Sequence, residues 1–255
     1  MNQRVLWAAS LSCVALVMSG CAAVPQKTPG DPWESGNRTM WEVNDALDRA
    51  ALRPTAKAYQ KVTPDWFRKG VGNFFDNLSY PSTIVNQALQ GKFAKAGSDL
   101  GRFLINTIYG AGGFVDVASM DGIPVHDEDL GQTLGKWGVP PGPYLMLPLI
   151  GPSTVRDFPS RFAENFAQPF YWYDYGNERW FSLILDTVDD RARLLPLDKT
   201  LERVYDKYAF IRNAYLQRRL YQVYDGDVPA ELIDEELEDP EAGLEDPEPE
   251  PAPSE

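Results

Sequence analysis

"GVPPGPYLMLPLIGPSTVRD", residues 138–157, sets Tyr144, Leu145, Met146, Leu147, Leu149 and Ile150 among Pro140, Pro141, Pro143, Pro148 and Pro152. An ordinary helix is excluded here. Pro148 has no amide donor and its ring meets the carbonyl four residues back, while the Pro-Pro and Gly-Pro steps hold the chain extended. The stretch reads as a stiff apolar loop. Two uses are open to it: packing in a core, or a rigid apolar surface that resists collapse.

On both sides of this loop the periodicity is helical. Met40, Val43, Asn44 and Leu47 fall at i, i+3, i+4 and i+7, predicting a first helix over 36–50 that Pro54 ends. Phe67, Val71, Phe74, Phe75 and Leu78 form a second amphipathic series after Pro64-Asp65. Pro81 is expected to open a separate short helix that Gly91 caps. Phe93, Ala96, Leu100, Phe103, Leu104, Thr107 and Ile108 make a longer helix ending in "GAGG", 110–113. The period returns at Phe181, Ile184, Leu185, Val188, Ala192 and Leu195, and again from Leu197 to Ile211. Strand-type alternation is scarce. The expectation is an all-α body with a long irregular Gly/Pro-rich centre at 110–157.

The ends carry different information. Arg4, the apolar run Val5–Met18 and the small pair Ser19-Gly20 read as a secretory leader, residues 1–20; a membrane anchor is disfavoured because spanning takes roughly 18–20 apolar residues. "MSGC" then resembles a bacterial lipobox, making Cys21 the lipidation site, and Ala22-Ala23 in place of Asp favours the outer membrane. Acyl chains there give firm anchoring, since each buried methylene contributes about 0.8 kcal/mol. Residues 21–32 read as a short tether and 33–224 as the helical domain. The net charge of -13 is misleading, because residues 225–255 hold 14 of the 37 acidic residues and no Lys or Arg, leaving a neutral body. Such an acidic, Pro-rich tail is expected to be largely disordered, either as a solubilising tail or as a docking arm for a basic partner. A neutral body in that compartment argues against nucleic acid as a partner.

Catalytic patterns are scarce. His126 is the one histidine, in "VHDEDLGQ", and reads as a surface-loop residue beside carboxylates; Cys13 leaves with the leader and Cys21 takes lipid, so no second histidine or thiol completes a zinc set. The sequence has no G-x-S-x-G elbow, no phosphate loop and no EF-hand spacing. The expectation is a protein that is not an enzyme, with no cofactor and no metal. "FYWYDYGNERWF", 170–181, is dense in aromatics that suit either a membrane interface or a core cluster.

Seven blocks in order, "DPWESGNR" (31–38), "NDALD" (44–48), "LRPTAKAYQKVTPD" (52–65), "NFFDNL" (73–78), "GRFLINTIYGAGGFVDVAS" (101–119), "HDEDLGQTLGKWGV" (126–139) and "GPYLMLPLIGPSTVRD" (142–157), resemble the MlaA (VacJ) family of outer-membrane lipoproteins. The resemblance spans about Asp31 to Gln222. It implies a ring-like bundle of amphipathic helices embedded in the inner leaflet of the outer membrane, periplasm-facing, enclosing an amphipathic channel and bound to a trimeric porin. It further implies that mislocalised phospholipid is taken from the outer leaflet and passed to a soluble periplasmic lipid carrier. Carried onto this sequence, the family places a hinge in the segment 119–130, with Ser119, Met120, Asp121 and Gly122 as its candidates, the "GQTLG" of 131–135 beside it, and a block that keeps the channel's shape at Asn44 and Asp45. Tyr144 to Ile150 then become candidates for the lipid path. The physics agrees: exposing two sixteen-carbon chains to water costs on the order of 25 kcal/mol, so a transporter needs an apolar route with a polar lane. An interaction scaffold that tethers a periplasmic assembly is the alternative, and a phospholipid-cleaving enzyme comes third.

Overall fold

The structure, a computed structural model, describes Thr28, residues 30–165 and residues 178–232. The leader, Cys21, the aromatic residues 170–177 and the tail beyond Leu232 lie outside the described residues. The elements are α1 (Glu34–Leu47), a π-helical turn (Asp48–Leu52), α2 (Arg53–Val62), α3 (Asp65–Leu89), α4 (Phe93–Ile108), α5 (Val117–Met120), α6 (Leu130–Lys136), β1 (Tyr144–Leu147), β2 (Gly151–Thr154), α7 (Asp157–Asn165), α8 (Glu178–Leu194), a 3-10 turn (Leu195–Leu197), α9 (Asp198–Leu201) and α10 (Lys207–Val223).

Several expectations change. Pro54 does not end the first helix. A π turn precedes it, with the Arg53 amide bonded to the Asp48 carbonyl five residues back, and the wider turn admits a residue that has no amide to donate. Pro81 likewise sits inside α3, which runs 25 residues without a break. Packing along α4 outweighs the local cost there, and Gly91, at φ 77°, makes the α3–α4 turn as expected. The periodic run 197–211 is divided between α9 and α10, the second capped by Asp206, whose carboxylate accepts from the Ala209 amide. The fold is not purely helical: the opening stretch is an antiparallel hairpin in which Tyr144 pairs with Thr154 and Leu147 with Gly151. Pro143 and Pro148 flank β1 and leave its interior amides free to pair. Asp31, expected in the tether, is buried, so the folded body begins near Thr28.

The apolar core is small. Tyr144, Met146 and Tyr208 form its centre, packed against Met40, Trp41, Ile211, Tyr215 and Leu216. Elsewhere polar networks share the interior with small apolar residues such as Ala56, Val71, Val188 and Ala192. Arg219 of α10 reaches Asp157 at the start of α7 (Nε to Oδ2, 3.0 Å) and Asp129 at the start of α6 (Nη2 to Oδ1, 2.9 Å). Arg156 and Tyr215 also bond Asp157, at 2.8 and 2.9 Å. Arg191 of α8 grips Asp48 with two nitrogens and Asp198 with one, tying the π turn to α9. Asp31 accepts from Tyr208 and Asn37 beside Arg212.

Burial alone would raise the Asp129 and Asp157 carboxyls. Hydrogen bonds and charge from Arg219, with Arg156 at Asp157, outweigh it and hold both below the ordinary 3.8. Their contribution to stability is therefore present above the ordinary carboxylate range and is lost as pH falls through it towards the lower folded-state values. The contribution of this junction, taken as the stability difference between wild type and Arg219→Ala by chemical denaturation at each pH, should be largest near pH 7 and shrink as pH falls through the carboxylate range. Arg219→Ala, which strands two buried carboxylates, should cost about 3–5 kcal/mol at neutral pH and less in acid, where protonation relieves the stranded charges.

Candidate functional site

α1 presents two asparagines, seven residues apart and so on one face, to the free edge of β1. Asn37 donates to the Tyr144 carbonyl at 3.1 Å and accepts from the Met146 amide at 2.9 Å. Asn44 donates to the Leu147 carbonyl and accepts from the Leu149 amide, both at 2.8 Å. Each side-chain amide thus replaces one rung of a missing neighbouring strand. Tyr144 is held further by its own amide, which donates to the Gly30 carbonyl. Two separate sequence candidates, Asn44 and the apolar stretch, are brought together here. Asp45 is not part of the clamp and pairs along its own helix with Arg49 at 3.1 Å.

The clamp sorts the apolar stretch by alternation. Tyr144 and Met146 point into the core, and burial pushes the Tyr144 hydroxyl above its usual value. Leu145 and Leu147 are half-buried. Leu149 and Ile150 form the exposed tip, with Leu149 at φ 64°, a left-handed backbone that a leucine adopts only when its surroundings impose it. Asn44 imposes it, by holding the Leu149 amide. Asn37 was missed in the sequence, although its spacing from Asn44 was the available signal.

The Ser119–Gly122 segment is anchored at one end and open at the other. Arg102, buried on α4, donates from Nε to Tyr80 (2.8 Å), from Nη1 to the Ile123 carbonyl and from Nη2 to Asp116 and the Ser119 hydroxyl (2.9–3.0 Å). Asn106 completes this mount, donating to Asp116 and accepting from the Ala118 amide, each at 2.9 Å. Burial would raise the Asp116 carboxyl, but hydrogen bonds from Ser119 and Asn106 with the charge of Arg102 hold it below its ordinary value. Met120, Asp121 and Gly122 project outward, Gly122 at φ 74°.

From Ile123 the chain is pinned at intervals. His126 Nδ1 lies 3.1 Å from both carboxylate oxygens of the fully buried Asp99, which also accepts from Gln87 at 2.6 Å, so His126 docks across to α4 and is not a free loop residue beside its sequence neighbours. Glu128 accepts from Gln90 and Lys92, at 2.9 and 2.7 Å. Asp129 caps α6 through the Gln132 amide. The glycines of "GQTLG" explain themselves by contact. A Cβ on Gly131 would lie 2.4 Å from Asp157 and 2.5 Å from Arg219, and one on Gly135 would lie 2.7 Å from Arg156.

Burial over the whole body is inverted. Among the described residues, 21 buried side chains are polar or charged and 11 apolar, while 29 large apolar side chains are exposed. α4 makes the point residue by residue: Ala96, Asp99, Arg102 and Asn106 face inward, and Phe93, Leu100, Leu104 and Ile108 face outward. Its apolar stripe is the outer one. α8 likewise exposes Phe181, Leu183 and Ile184, while Val188, Asp189 and Ala192 are buried on its inner side. Among the described residues no helix is long and apolar enough to cross a membrane, and no group of His, Cys, Asp and Glu is placed to hold a metal ion.

Comparison with known proteins gives the family. The model of the MlaA lipoprotein family matches residues 29–222. The intermembrane phospholipid transport system lipoprotein MlaA of Escherichia coli is 35% identical over 246 residues, covering 90% of this chain and 97% of its own, and that of Haemophilus influenzae is 32% identical over 234 residues, covering 89% and 93%. An uncharacterised Rickettsia felis protein is 37% identical over 191 residues, covering 74% of this chain and 76% of its own. A solved structure described as the "structural basis for maintenance of bacterial outer membrane lipid asymmetry" superposes with a TM-score of 0.68 at 36% identity, covering 76% of this chain and 98% of that one. With its sequence blocks, its mostly helical architecture and its family match in agreement, the chain belongs to the MlaA lipoprotein family.

Proposed function

We propose that this protein is anchored by lipid on Cys21 to the inner leaflet of the outer membrane, faces the periplasm, and passes mislocalised phospholipid from the outer leaflet through an amphipathic channel to a soluble periplasmic carrier. The inverted burial carries the reading. Large exposed apolar patches mark membrane or protein contacts, and a ring of helices with apolar outer and polar inner faces can sit in one leaflet while offering a headgroup a wet lane. A trimeric porin fits as the partner that holds such a ring at depth. Moving lipid down this lane breaks no bond, so the role requires neither catalysis nor a cofactor.

In this reading the hairpin tip, Leu149 and Ile150, is the apolar element that meets acyl chains, while Leu145 and Leu147 support it and Tyr144 and Met146 fix it to the core. Asn44 keeps the tip in shape. The outward loop Met120–Gly122 is the moving part of the hinge, pivoting beside the Arg102 mount.

Deleting the gene should raise outer-leaflet phospholipid, and the full-length lipoprotein extracted in mild detergent should carry phospholipid detectable by mass spectrometry. A Leu149→Asp/Ile150→Asp variant should reach the outer membrane through Cys21 yet fail to restore asymmetry, since each aspartate placed at hydrocarbon depth costs about 2–4 kcal/mol. Normal lipid asymmetry in the deletion strain, with no lipid on the purified protein, would favour the scaffold reading.

A further inference from the structure

Residues 123–129 belong to no helix or strand, and side chains hold them to the body. Most of the ion pairs along this segment and at its base are permanent. Asp116 has Arg102 at 2.9 Å, Glu128 has Lys92 at 2.7 Å, Asp129 has Arg219, and the exposed Asp127 has Arg218 at 3.8 Å. Lys and Arg keep their charge across about pH 5 to 8. Asp99 of α4 is paired differently, with His126, whose Nδ1 lies 3.1 Å from both carboxylate oxygens. That cation is conditional, because imidazole is the side chain whose ordinary titration falls between about pH 5 and 8.

Asp99 makes the condition matter. It is fully buried, and among the described residues His126 is its one ion-pair partner. The charged and titratable groups on the elements around it are committed elsewhere. Tyr80 of α3 accepts from Arg102, Arg102 of α4 is balanced by Asp116, and Lys95 of α4 reaches Asp225. Arg218 and Arg219 of α10 are taken by Asp127, Asp129 and Asp157. What remains for Asp99 besides His126 is the neutral Gln87 amide, at 2.6 Å. A buried carboxylate served by neutral donors alone is costly, and a cation within hydrogen-bond distance offsets that cost. The His126 side chain is 21% exposed, so its ring can exchange a proton with water while its partner stays dry. Neutral imidazole with its proton on Nδ1 still donates to Asp99, but a charge-assisted bond is roughly twice as strong. The contact is therefore firmest with His126 protonated and weakens as pH rises through the imidazole range.

We propose that His126 and Asp99 form a protonation-dependent latch, which fixes the far end of the 119–130 hinge in mild acid and loosens it as the pH becomes alkaline. The inference rests on the hinge reading above and gives that hinge its regulation. At the near end Arg102 holds the Ser119 hydroxyl and the Ile123 carbonyl, and its charge does not change near neutrality. The pH response therefore belongs to the His126 end. Asp99 is a positioning residue here, acting on the segment through His126.

The test uses the full-length lipoprotein in detergent, with a nitroxide on Val125→Cys, an exposed position next to His126, read by electron paramagnetic resonance. The ratio of immobile to mobile label should fall roughly tenfold from about pH 5.5 to 8, along a one-proton curve. His126→Gln, which keeps a neutral donor, should give the alkaline ratio at every pH, and Asp99→Asn should flatten the curve as well. Hydrogen exchange over residues 123–129, corrected for the intrinsic effect of pH, should repeat the pattern in unlabelled wild type and His126→Gln. A curve unchanged in His126→Gln would overturn the latch and pass the titration to another group, Asp127 being its neighbour in sequence. A wild-type label equally mobile at every pH would overturn it too. A pH response that His126→Gln abolishes, in a protein that carries no co-purified phospholipid, would support the latch while sinking the transport reading.

Discussion

Arg219 lies between Asp129 and Asp157 and, with Tyr215 beside it, joins three stretches of chain distant in sequence: the last helix, the start of α6 and the residue that follows the hairpin into α7. A protein with a large apolar core could close this junction with aliphatic packing. Here the core is three buried residues and their neighbours, so closure falls to a guanidinium with its fixed fork of donors. The same solution recurs at Arg191 and Arg102, each with a paired carboxylate and each bridging elements distant in sequence. Buried pairs are not a cheap source of stability, but their geometry is strict, and strict geometry is what a body with an apolar exterior needs to hold one arrangement.

The inversion also explains the asparagines. A strand edge facing α1 has carbonyls and amides that water would ordinarily satisfy, and a helix cannot offer backbone partners sideways. Asn37 and Asn44 supply both a donor and an acceptor at strand spacing, so a helix and a strand are joined through two carbonyls and two amides of that edge. The left-handed Leu149 follows from the same contact. Its strain is local and is held by an amide that has no other described partner than the hairpin.

Legibility in the sequence followed the range of the interactions. Helical periods were visible because they are local, and proline's exclusion of a helix at 144–150 was correct for the same reason. Proline misled at Pro54 and Pro81, where a π turn and long-range packing against α4 absorb the missing donor. The hairpin escaped notice because four-residue strands with prolines around them show little alternation. Periodicity also located the apolar stripe of α4 without saying which side faces water. That requires knowing that Asp99, Arg102 and Asn106 have partners at Gln87, Asp116 and Ala118, and pairing across the fold leaves no local signature. His126 is the same case, its docking carboxylate being 27 residues away.

An apolar exterior and a polar interior place the charge pairs in unequal surroundings. Pairs facing bulk water, such as Arg218 and Asp127, both largely exposed, contribute little and are screened by salt. Pairs such as Arg102 and Asp116 lie behind a helix whose outer face is Leu100, Leu104 and Ile108. If lipid covers that face, water is excluded from one side and the pair strengthens, so membrane seating and the hinge mount reinforce one another. The Met120–Gly122 loop has no such backing and is exposed beyond the Arg102 mount. Polar contacts at Arg102 thus set a frame at the base of the Met120–Gly122 loop, one that lipid on the outer face of α4 would tighten.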